Sequence, residues 1–294
     1  MKKALLYLHI AVFLAGFTGV LGRLISLNES LLVWYRLLFT SLSMSLLFLW
    51  QRSFPTVSLS GMVKIFGVGA IVALHWVSFY GSIKYSNVSV ALVCFSTLSF
   101  FSALLEPLIA RKKISPMEVL LGLITIFGVY LIFHFDARYK KGIIFGIVSA
   151  VLASLFTILN KKLLSRYPPR TVTFYELTGG FIVLSFILPL YLYLLQVPFS
   201  LPQGWDWPWL LFLSLLCTVL AFYLSLTALA SVSSFTVNLT YNLEPVYGII
   251  LAFVIYKENK NLHASFYAGL SLIFTAVFIQ MIRIYKKERN PGLS

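Results

Sequence analysis

Ten continuous apolar stretches follow one another along this chain, separated by short polar or proline- and glycine-containing connections. A helix needs roughly 20 mainly apolar residues to cross about 30 Å of hydrocarbon, whereas the strands of a membrane barrel alternate over about 10 residues. Because these stretches do not alternate, they predict an all-α integral membrane protein with ten transmembrane helices. The predicted helices cover residues 4–22, 29–50, 62–83, 88–110, 115–135, 141–164, 171–195, 207–229, 232–256 and 261–283.

The composition excludes several classes of protein. Hydrophobic residues make up 60% of the chain and charged residues 11%, against about 45–50% and roughly 25% in soluble domains. A soluble enzyme would have to expose the excess apolar surface, and a disordered chain or a disulfide scaffold would not contain it. The net charge of +14 does not indicate nucleic-acid binding, because the basic residues lie between the apolar stretches and form no single basic face.

Small side chains inside the apolar stretches are expected to serve packing. Cys94 and Cys217 have no metal-ligand or redox spacing, so we predict no metal site and no cofactor. Gly61, Gly67, Gly69 and the pair Gly179–Gly180 are expected to let neighbouring helices approach closely.

The lysines and arginines of the connections predict an orientation. If the N-terminus is cytoplasmic, most of the 23 basic residues fall on the cytoplasmic side, as the positive-inside rule requires. We therefore expect both termini in the cytoplasm, with residues 284–294 as a cytoplasmic tail. The expected location is the cell membrane, in a bacterium the inner membrane.

Short aromatic motifs recur at an offset near 140 residues and indicate an internal repeat. The matches are Phe17-Thr18 with Phe156-Thr157, Trp34-Tyr35-Arg36 with Phe174-Tyr175-Glu176, and Phe79-Tyr80 with Phe222-Tyr223. Each match falls in the corresponding helix of two five-helix halves, residues 4–135 and 141–283. Since five is odd, the second half would enter the membrane from the opposite face. Inverted repeats are typical of secondary transporters, which bind substrate near the midplane between the halves.

Motifs in both halves also resemble a known family. They are Lys84-Tyr85-Ser86-Asn87-Val88-Ser89-Val90-Ala91, Leu243-Glu244-Pro245-Val246, Glu258, and Arg36 after Trp34-Tyr35. With these motifs the chain resembles a ten-helix, EamA-like member of the drug/metabolite transporter superfamily over residues 4–283. The resemblance implies a transporter, most often an exporter of amino acids and other small metabolites. Two departures are Ser96-Thr97 near the place of Glu244-Pro245, and Lys257 where the family usually has glycine.

Two ionisable residues lie near the middle of their predicted helices. Glu244 is about 18 Å and His75 about 20 Å from the starts of their stretches. Ionisable groups at membrane depth are functional candidates, and either could exchange a proton or receive a substrate ammonium. For Glu244 the alternative is a structural carboxyl beside a helix break at Pro245. The other candidate substrate-binding residues are Trp76, Tyr80, Tyr223, Asn238, Tyr241 and Asn242. Asn238 and Asn242 share one face if their helix is continuous.

Three further charges are predicted to have gating or structural roles. Arg36 lies about 10 Å from the outer end of its helix and Glu176 about 8 Å from the inner end of its own. With about 30 Å of hydrocarbon core, their separation of about 12 Å along the membrane normal argues against an ion pair. Glu106 is expected near the inner face.

Four functions follow as hypotheses. The first is a secondary transporter that exports amino acids or related small metabolites by alternating access, with protons as a candidate coupling ion. The second is an importer of an organic cation or a nucleotide-like solute. The third and fourth, from other classes, are an intramembrane enzyme and a non-transporting membrane scaffold. The chain contains no GxSxG, HExxH or P-loop motif, so we predict that it is not an enzyme. Its expected partners are a small-molecule substrate and the lipid bilayer, and the sequence leaves its oligomeric state open.

Overall fold

The computed structural model describes residues 2–111, 113–133, 139–261 and 264–289, and these ranges contain helices, short connections and no strand. The α-helices, in chain order, are α1 (Lys2–Leu24), α2 (Glu29–Trp50), α3 (Leu59–Tyr85), α4 (Val88–Phe95), α5 (Leu98–Ala110), α6 (Pro116–Phe133), α7 (Lys140–Leu163), α8 (Pro169–Leu195), α9 (Asp206–Ser214), α10 (Ala221–Ser231), α11 (Ser234–Tyr241), α12 (Glu244–Tyr256) and α13 (Ala264–Arg289). A π-helical turn, Leu215–Leu220, joins α9 to α10, and a short 3-10 helix, Glu258–Asn261, precedes α13.

The helices have the lengths and the apolar composition of membrane spans. Seven helical segments of the described residues are long and apolar enough to cross a bilayer. They are Lys3–Leu24, Glu29–Trp50, Leu59–Tyr85, Val88–Ala110, Lys140–Leu163, Pro169–Leu195 and Asp206–Ser231. Three shorter apolar helices, Pro116–Gly128, Glu244–Tyr256 and Ala264–Ala276, fall in the remaining predicted stretches. The protein is therefore an all-helical, multi-pass membrane protein, and the count of ten membrane helices stays a prediction.

Two of the predicted stretches are each divided into two helices. Between α4 and α5, the Ser96 and Thr97 hydroxyls donate to the carbonyl oxygens of Val93 (2.6 Å) and Cys94 (2.7 Å), so the break is satisfied locally. Between α11 and α12 the break coincides with Pro245, which has no backbone N–H and is tolerated in a first helical turn. The sequence indicated the second break but not the first.

The first helix of each half of the chain packs mainly against helices of the other half. In the first half, α1 packs against α10 and α12 of the second half. In the second half, α7 packs against α3, α4 and α5 of the first half. Moreover, α4 packs against α12 and α5 against α11, so two divided segments run antiparallel to each other. The halves are thus interleaved and do not form separate bundles.

Helices α3 and α8 approach each other closely, and this contact depends on glycine. A Cβ atom added to Gly69 would lie 2.1 Å from the carbonyl oxygen of Glu176, and one added to Gly180 would lie 2.7 Å from the carbonyl oxygen of Gly69. A Cβ atom on Gly67, two residues earlier on α3, would meet nothing within 4 Å. Of these α3 glycines, Gly69 therefore permits the close approach that the sequence led us to expect, and the same expectation for Gly67 was wrong.

One end of the bundle is closed by charged and polar side chains, and we call it the Glu258 end. Arg23 lies 2.5 Å from Glu258, which also accepts hydrogen bonds from the backbone N–H groups of Val88 (3.3 Å) and Ser89 (3.0 Å). A carboxylate in this position caps the N-terminus of α4 and offsets its dipole. Nearby, Asp206 accepts hydrogen bonds from the backbone N–H and the hydroxyl of one serine.

The predicted boundaries of the halves and of the tail fall near the limits of the described residues. Residues 134–138, which contain the end of the predicted first half at 135, lie outside them. Helix α13 continues to Arg289, so the start of the predicted tail 284–294 extends the last helix. Residues 290–294 lie outside the described residues.

Candidate functional site

A cavity lies between the two halves, and helices from both halves line it. Its volume is about 80 Å³ and it is partly open to the outside, which makes it smaller than the sites of about 300–1,000 Å³ that hold drug-sized ligands. Six aromatic side chains line the wall, and one arginine, one histidine and one glutamate face the same space. The aromatic residues are Trp76, Phe79, Phe95, Phe156, Phe222 and Tyr241, and the ionisable ones are Arg36, His75 and Glu244.

Arg36 is held in the cavity wall by contacts from α3 and from the π-helical turn. Its Nε donates to the Thr218 hydroxyl (2.6 Å), one terminal nitrogen to the Tyr80 hydroxyl (3.0 Å), and the other to the carbonyl oxygen of Cys217 (3.4 Å). The guanidinium also lies 3.7 Å from the centre of the Trp76 ring, within the range of a cation–π contact. A guanidinium has five N–H groups, so two remain for a ligand.

The π-helical turn is what brings Thr218 to Arg36. The Thr218 hydroxyl donates to the carbonyl oxygen of Leu213 (2.7 Å) and can therefore accept from Arg36 through a lone pair. Single π-helical turns inside α-helices occur frequently at functional sites. The apolar stretch 207–229 gives no sign of this turn, and it predicted an uninterrupted helix.

Glu244 is buried at the first turn of α12, where the helix dipole favours a negative charge. Its hydrogen-bond donor among the described residues is the Thr18 hydroxyl, at 3.4 Å. That hydroxyl has one proton and lies closer, at 2.7 Å, to the carbonyl oxygen of Ala15. The Glu244 carboxyl group therefore lines the cavity with most of its accepting capacity free.

His75 also lines the cavity, and one side of its ring is fixed by the protein. Its Nδ1 lies 2.9 Å from the Ser149 hydroxyl and 3.0 Å from the Ser149 carbonyl oxygen. Its ring packs between Phe95 and Phe156, with centroid distances of 5.5 and 5.4 Å. Its Nδ1 is thus occupied by α7, which leaves Nε2 for any ligand.

The two asparagines of the Glu244 segment do not share the cavity. Asn238 lines it and donates to the Ser102 hydroxyl at 2.6 Å. Asn242 is buried away from the lining, and neither polar atom of its side chain has a partner among the described residues. The prediction of a common face was wrong because α11 ends at Tyr241, so the four-residue spacing of a continuous helix does not apply.

Two predicted tyrosines lie outside the cavity lining. Tyr80 is fully buried and contacts the cavity through Arg36, whereas Tyr223 is 39% exposed on the outside of α10. In both members of their repeat match it is the preceding phenylalanine, Phe79 or Phe222, that faces the cavity. Tyr223 therefore does not line the cavity, whereas its neighbour Phe222 does.

The remaining predicted charges, Glu176 and Glu106, lie outside the lining. Glu176 is fully buried on α8 and accepts a hydrogen bond from the Asn160 amide at 2.9 Å. Asn160 does line the cavity, so Glu176 lies directly behind the wall. Glu106 is half-buried on α5.

Several lining residues were not selected from the sequence. The first repeat match contains three of them, Thr18, Phe156 and Thr157. The repeat therefore indicated that these residues occupy equivalent places in the two halves. Cys217 and Ser225, in contrast, have no signal in the apolar stretch that contains them.

The cavity is placed asymmetrically between the ends of the bundle. Toward the Glu258 end, Thr18 and Phe79 are each six residues, about 9 Å, from the ends of α1 and α3. Toward the other end, Leu229 is two residues from the end of α10 and Asn160 three from the end of α7. The cavity therefore extends from the middle of the bundle toward the end opposite to Glu258.

No group of three or more histidine, cysteine or acidic side chains is placed to hold a metal ion among the described residues. A bundle of apolar helices around one cavity with aromatic, cationic and acidic groups is the construction of a multi-pass membrane transporter. The chain belongs to the EamA-like transporter family, whose model matches residues 2–134 and 140–281. This family is part of the drug/metabolite transporter superfamily.

Relatives of the chain are described as transporters. The chain is 25% identical over 257 residues to the uncharacterized transporter YetK of Bacillus subtilis, covering 84% of this chain and 76% of that one. It is also 25% identical over 274 residues to an uncharacterized transporter of Archaeoglobus fulgidus, covering 87% and 90%. A solved crystal structure has the same fold, with a TM-score of 0.70 at 15% identity and coverage of 98% and 99%.

Proposed function

We propose that this protein is a secondary transporter that exports amino acids or related small zwitterionic metabolites by alternating access. The observation that carries the proposal is the presence of Arg36 and Glu244 in the wall of one cavity. Arg36 retains N–H groups for a carboxylate, and Glu244 retains lone pairs for an ammonium group. An aromatic wall would hold the apolar part of such a solute.

Charge pairing favours a zwitterion over the other solute classes. An organic cation would have to approach Arg36, and a nucleotide-like anion would have to approach Glu244, in a site largely removed from water. Like charges brought together in such a site are strongly unfavourable. A zwitterion offers an opposite charge to both residues, and its own net charge is zero.

The packing of the halves supports alternating access by inverted repeats, residues 4–135 and 141–283. Helix α1 has the same place in the first half as α7 has in the second. The contacts of α1 with α10 and α12 therefore correspond to the contacts of α7 with α3, α4 and α5. The antiparallel pairing of α4 with α12 and α5 with α11 is what an inverted relation requires. In addition, α5 and α12 each end with a residue in the left-handed conformation, Arg111 and Lys257. Two interleaved copies can rock about the cavity and open it to either side.

The distribution of basic residues supports an orientation in the cell membrane with both termini in the cytoplasm. The Glu258 end would then face outward, and the cavity would extend toward the cytoplasm. An exporter loads its substrate from that side. A non-transporting scaffold would have no use for a cavity with opposite charges near mid-height.

Solute flux in proteoliposomes that contain the purified protein tests this function. Labelled neutral amino acids, an organic cation and a nucleotide are supplied separately, with and without an imposed pH gradient. We expect uptake or release of a zwitterion, lost in Glu244→Gln and retained in the matched variant Glu118→Gln, whose helix α6 does not line the cavity. Movement of the cation or the nucleotide alone would reject the zwitterion, and flux independent of the pH gradient would reject proton coupling.

A further inference from the structure

A second buried acidic group, Glu176, lies behind the cavity wall with incomplete hydrogen bonding. Its Oε1 accepts from the Asn160 side-chain N–H at 2.9 Å. Among the described residues, its Oε2 has no hydrogen-bond partner, and neither does Oδ1 of Asn160. Both residues are 0% exposed. Unpartnered polar atoms in a buried membrane site are costly. A hydrogen atom bonded to one of these two oxygens and shared with the other would remove that cost.

The chemistry of the two groups identifies what is missing. Both unpartnered atoms are acceptors, and they lie on the same carboxyl and carboxamide groups that already share one hydrogen bond. A carboxylic acid and an amide placed edge to edge form two parallel hydrogen bonds, N–H to O=C and O–H to O=C. The second of these requires a hydrogen on Oε2, which an ionised carboxylate lacks.

We propose that Glu176 and Asn160 form a proton-binding site, in which Glu176 carries a proton on Oε2 and donates it to Oδ1 of Asn160. The proton comes from water that reaches the cavity and returns to water by the same route. The O–H bond on Oε2 is the bond that forms and breaks. Asn160 lines the cavity and separates Glu176 from it, so hydration of the cavity at Asn160 would control the exchange.

Among the residues that the structure describes, no cationic side chain forms an ion pair with Glu176. The helices packed against α8 are α2, α3 and α10, and Asn160 comes from α7. The ionisable cavity residues of α2 and α3, Arg36 and His75, are bound to other partners. Lys161, beside Asn160, donates to carbonyl oxygens at the end of α10. The other ionisable side chains of the described parts of α2, α3 and α10 form no ion pair or hydrogen bond with Glu176; they are Glu29, Tyr35, Lys64, Tyr80, Lys84, Tyr85 and Tyr223.

The site does not depend on the identity of the solute, and only its use in coupling rests on the proposed function. Coupling would follow if the proton leaves Glu176 in one conformation of the cavity and returns in the other. A failure of solute flux with the proton site intact would reject the transport proposal alone.

Infrared spectroscopy of the purified protein in lipid, across a pH series, tests the proton site without a solute. The C=O stretch of a protonated carboxyl group is separate from carboxylate and amide bands. We expect one such band to be lost in Glu176→Gln and kept in Glu106→Gln. The Glu176→Gln variant should fold normally, because the new amide N–H replaces the O–H toward Asn160. In Asn160→Leu the band should move to higher frequency, since both hydrogen bonds are removed.

Three results would overturn the proposal. The first is an unchanged set of carboxyl bands in Glu176→Gln. The second, which stands even if that variant does not fold, is an unshifted band in Asn160→Leu. The third is loss of the band when Na⁺ is added at constant pH, which would make the occupant a metal cation.

Discussion

Replacing Gly69 by alanine is expected to separate α3 from α8 and to destabilise the protein. The new Cβ atom would lie 2.1 Å from the carbonyl oxygen of Glu176 and 2.8 Å from the backbone nitrogen of Gly180, whereas ordinary contacts begin at 3.4 Å. The difference, 3.4 minus 2.1, is 1.3 Å. Because the opposing atoms belong to the backbone of α8, no side-chain rotation relieves the clash, and the whole helix must move.

The magnitude follows from two opposing terms. Overpacking a well-packed interior costs about 1–3 kcal/mol, and a backbone clash of this size belongs at the upper end. Alanine in place of a helical glycine returns about 0.5–1 kcal/mol. The expected net loss is about 2 kcal/mol. Gly67→Ala on the same helix meets nothing within 4 Å, so it should gain about 0.5–1 kcal/mol from the same helix preference.

The assay is equilibrium unfolding of both variants by SDS in mixed micelles, with the tryptophan fluorescence as signal. The two variants should differ by about 3 kcal/mol in free energy of unfolding, which is about two orders of magnitude in the folded-to-unfolded ratio. Equal stabilities, or a Gly69→Ala variant more stable than the wild type, would refute the close helix contact on which the reasoning depends.

Three further predictions concern the cavity and the Glu258 end. Arg36→Lys keeps the positive charge but loses the planar guanidinium group. KM for a carboxylate solute in proteoliposome flux should therefore rise about tenfold, which corresponds to the loss of one charge-assisted hydrogen bond. An unchanged KM would show that Arg36 has a structural role only. Trp76→Leu should reduce the same flux and Tyr223→Leu should leave it unchanged, because Trp76 lines the cavity and Tyr223 faces outward; equal effects would misplace the cavity. Arg23→Gln should lower the free energy of unfolding by less than about 1 kcal/mol, since Arg23 is 44% exposed. Glu258→Gln should lower it by more, because Glu258 also caps α4. The reverse order of stabilities in thermal unfolding would contradict this account of the Glu258 end.

The helices of this protein could be predicted because a lipid-exposed backbone has to satisfy its own hydrogen bonds. An apolar stretch of sufficient length therefore has few alternatives to a helix. The same reasoning selected Glu244 and His75, since ionisable groups are rare and costly at membrane depth. Both do line the cavity, together with Trp76, Asn238 and Tyr241.

The direction of individual side chains could not be predicted in the same way. In Phe79-Tyr80 and Phe222-Tyr223 both neighbours are aromatic, and only the packing of the neighbouring helices decides that the phenylalanine faces inward. Asn242 was misplaced because a helix break resets the rotation along the chain. Gly67 and Gly69 are chemically identical, and only the position of α8 distinguishes them.

The π-helical turn Leu215–Leu220 fixes the register of the segment between Asp206 and Ser231. This turn holds one residue more than a regular α-helical turn, and each residue of an α-helix turns the chain by about 100°. Converting it to regular helix at the same length would therefore rotate one side against the other. Either Thr218 would leave Arg36 or Phe222 would leave the cavity. The conformation of this turn is therefore as much a determinant of the cavity as the identity of its side chains.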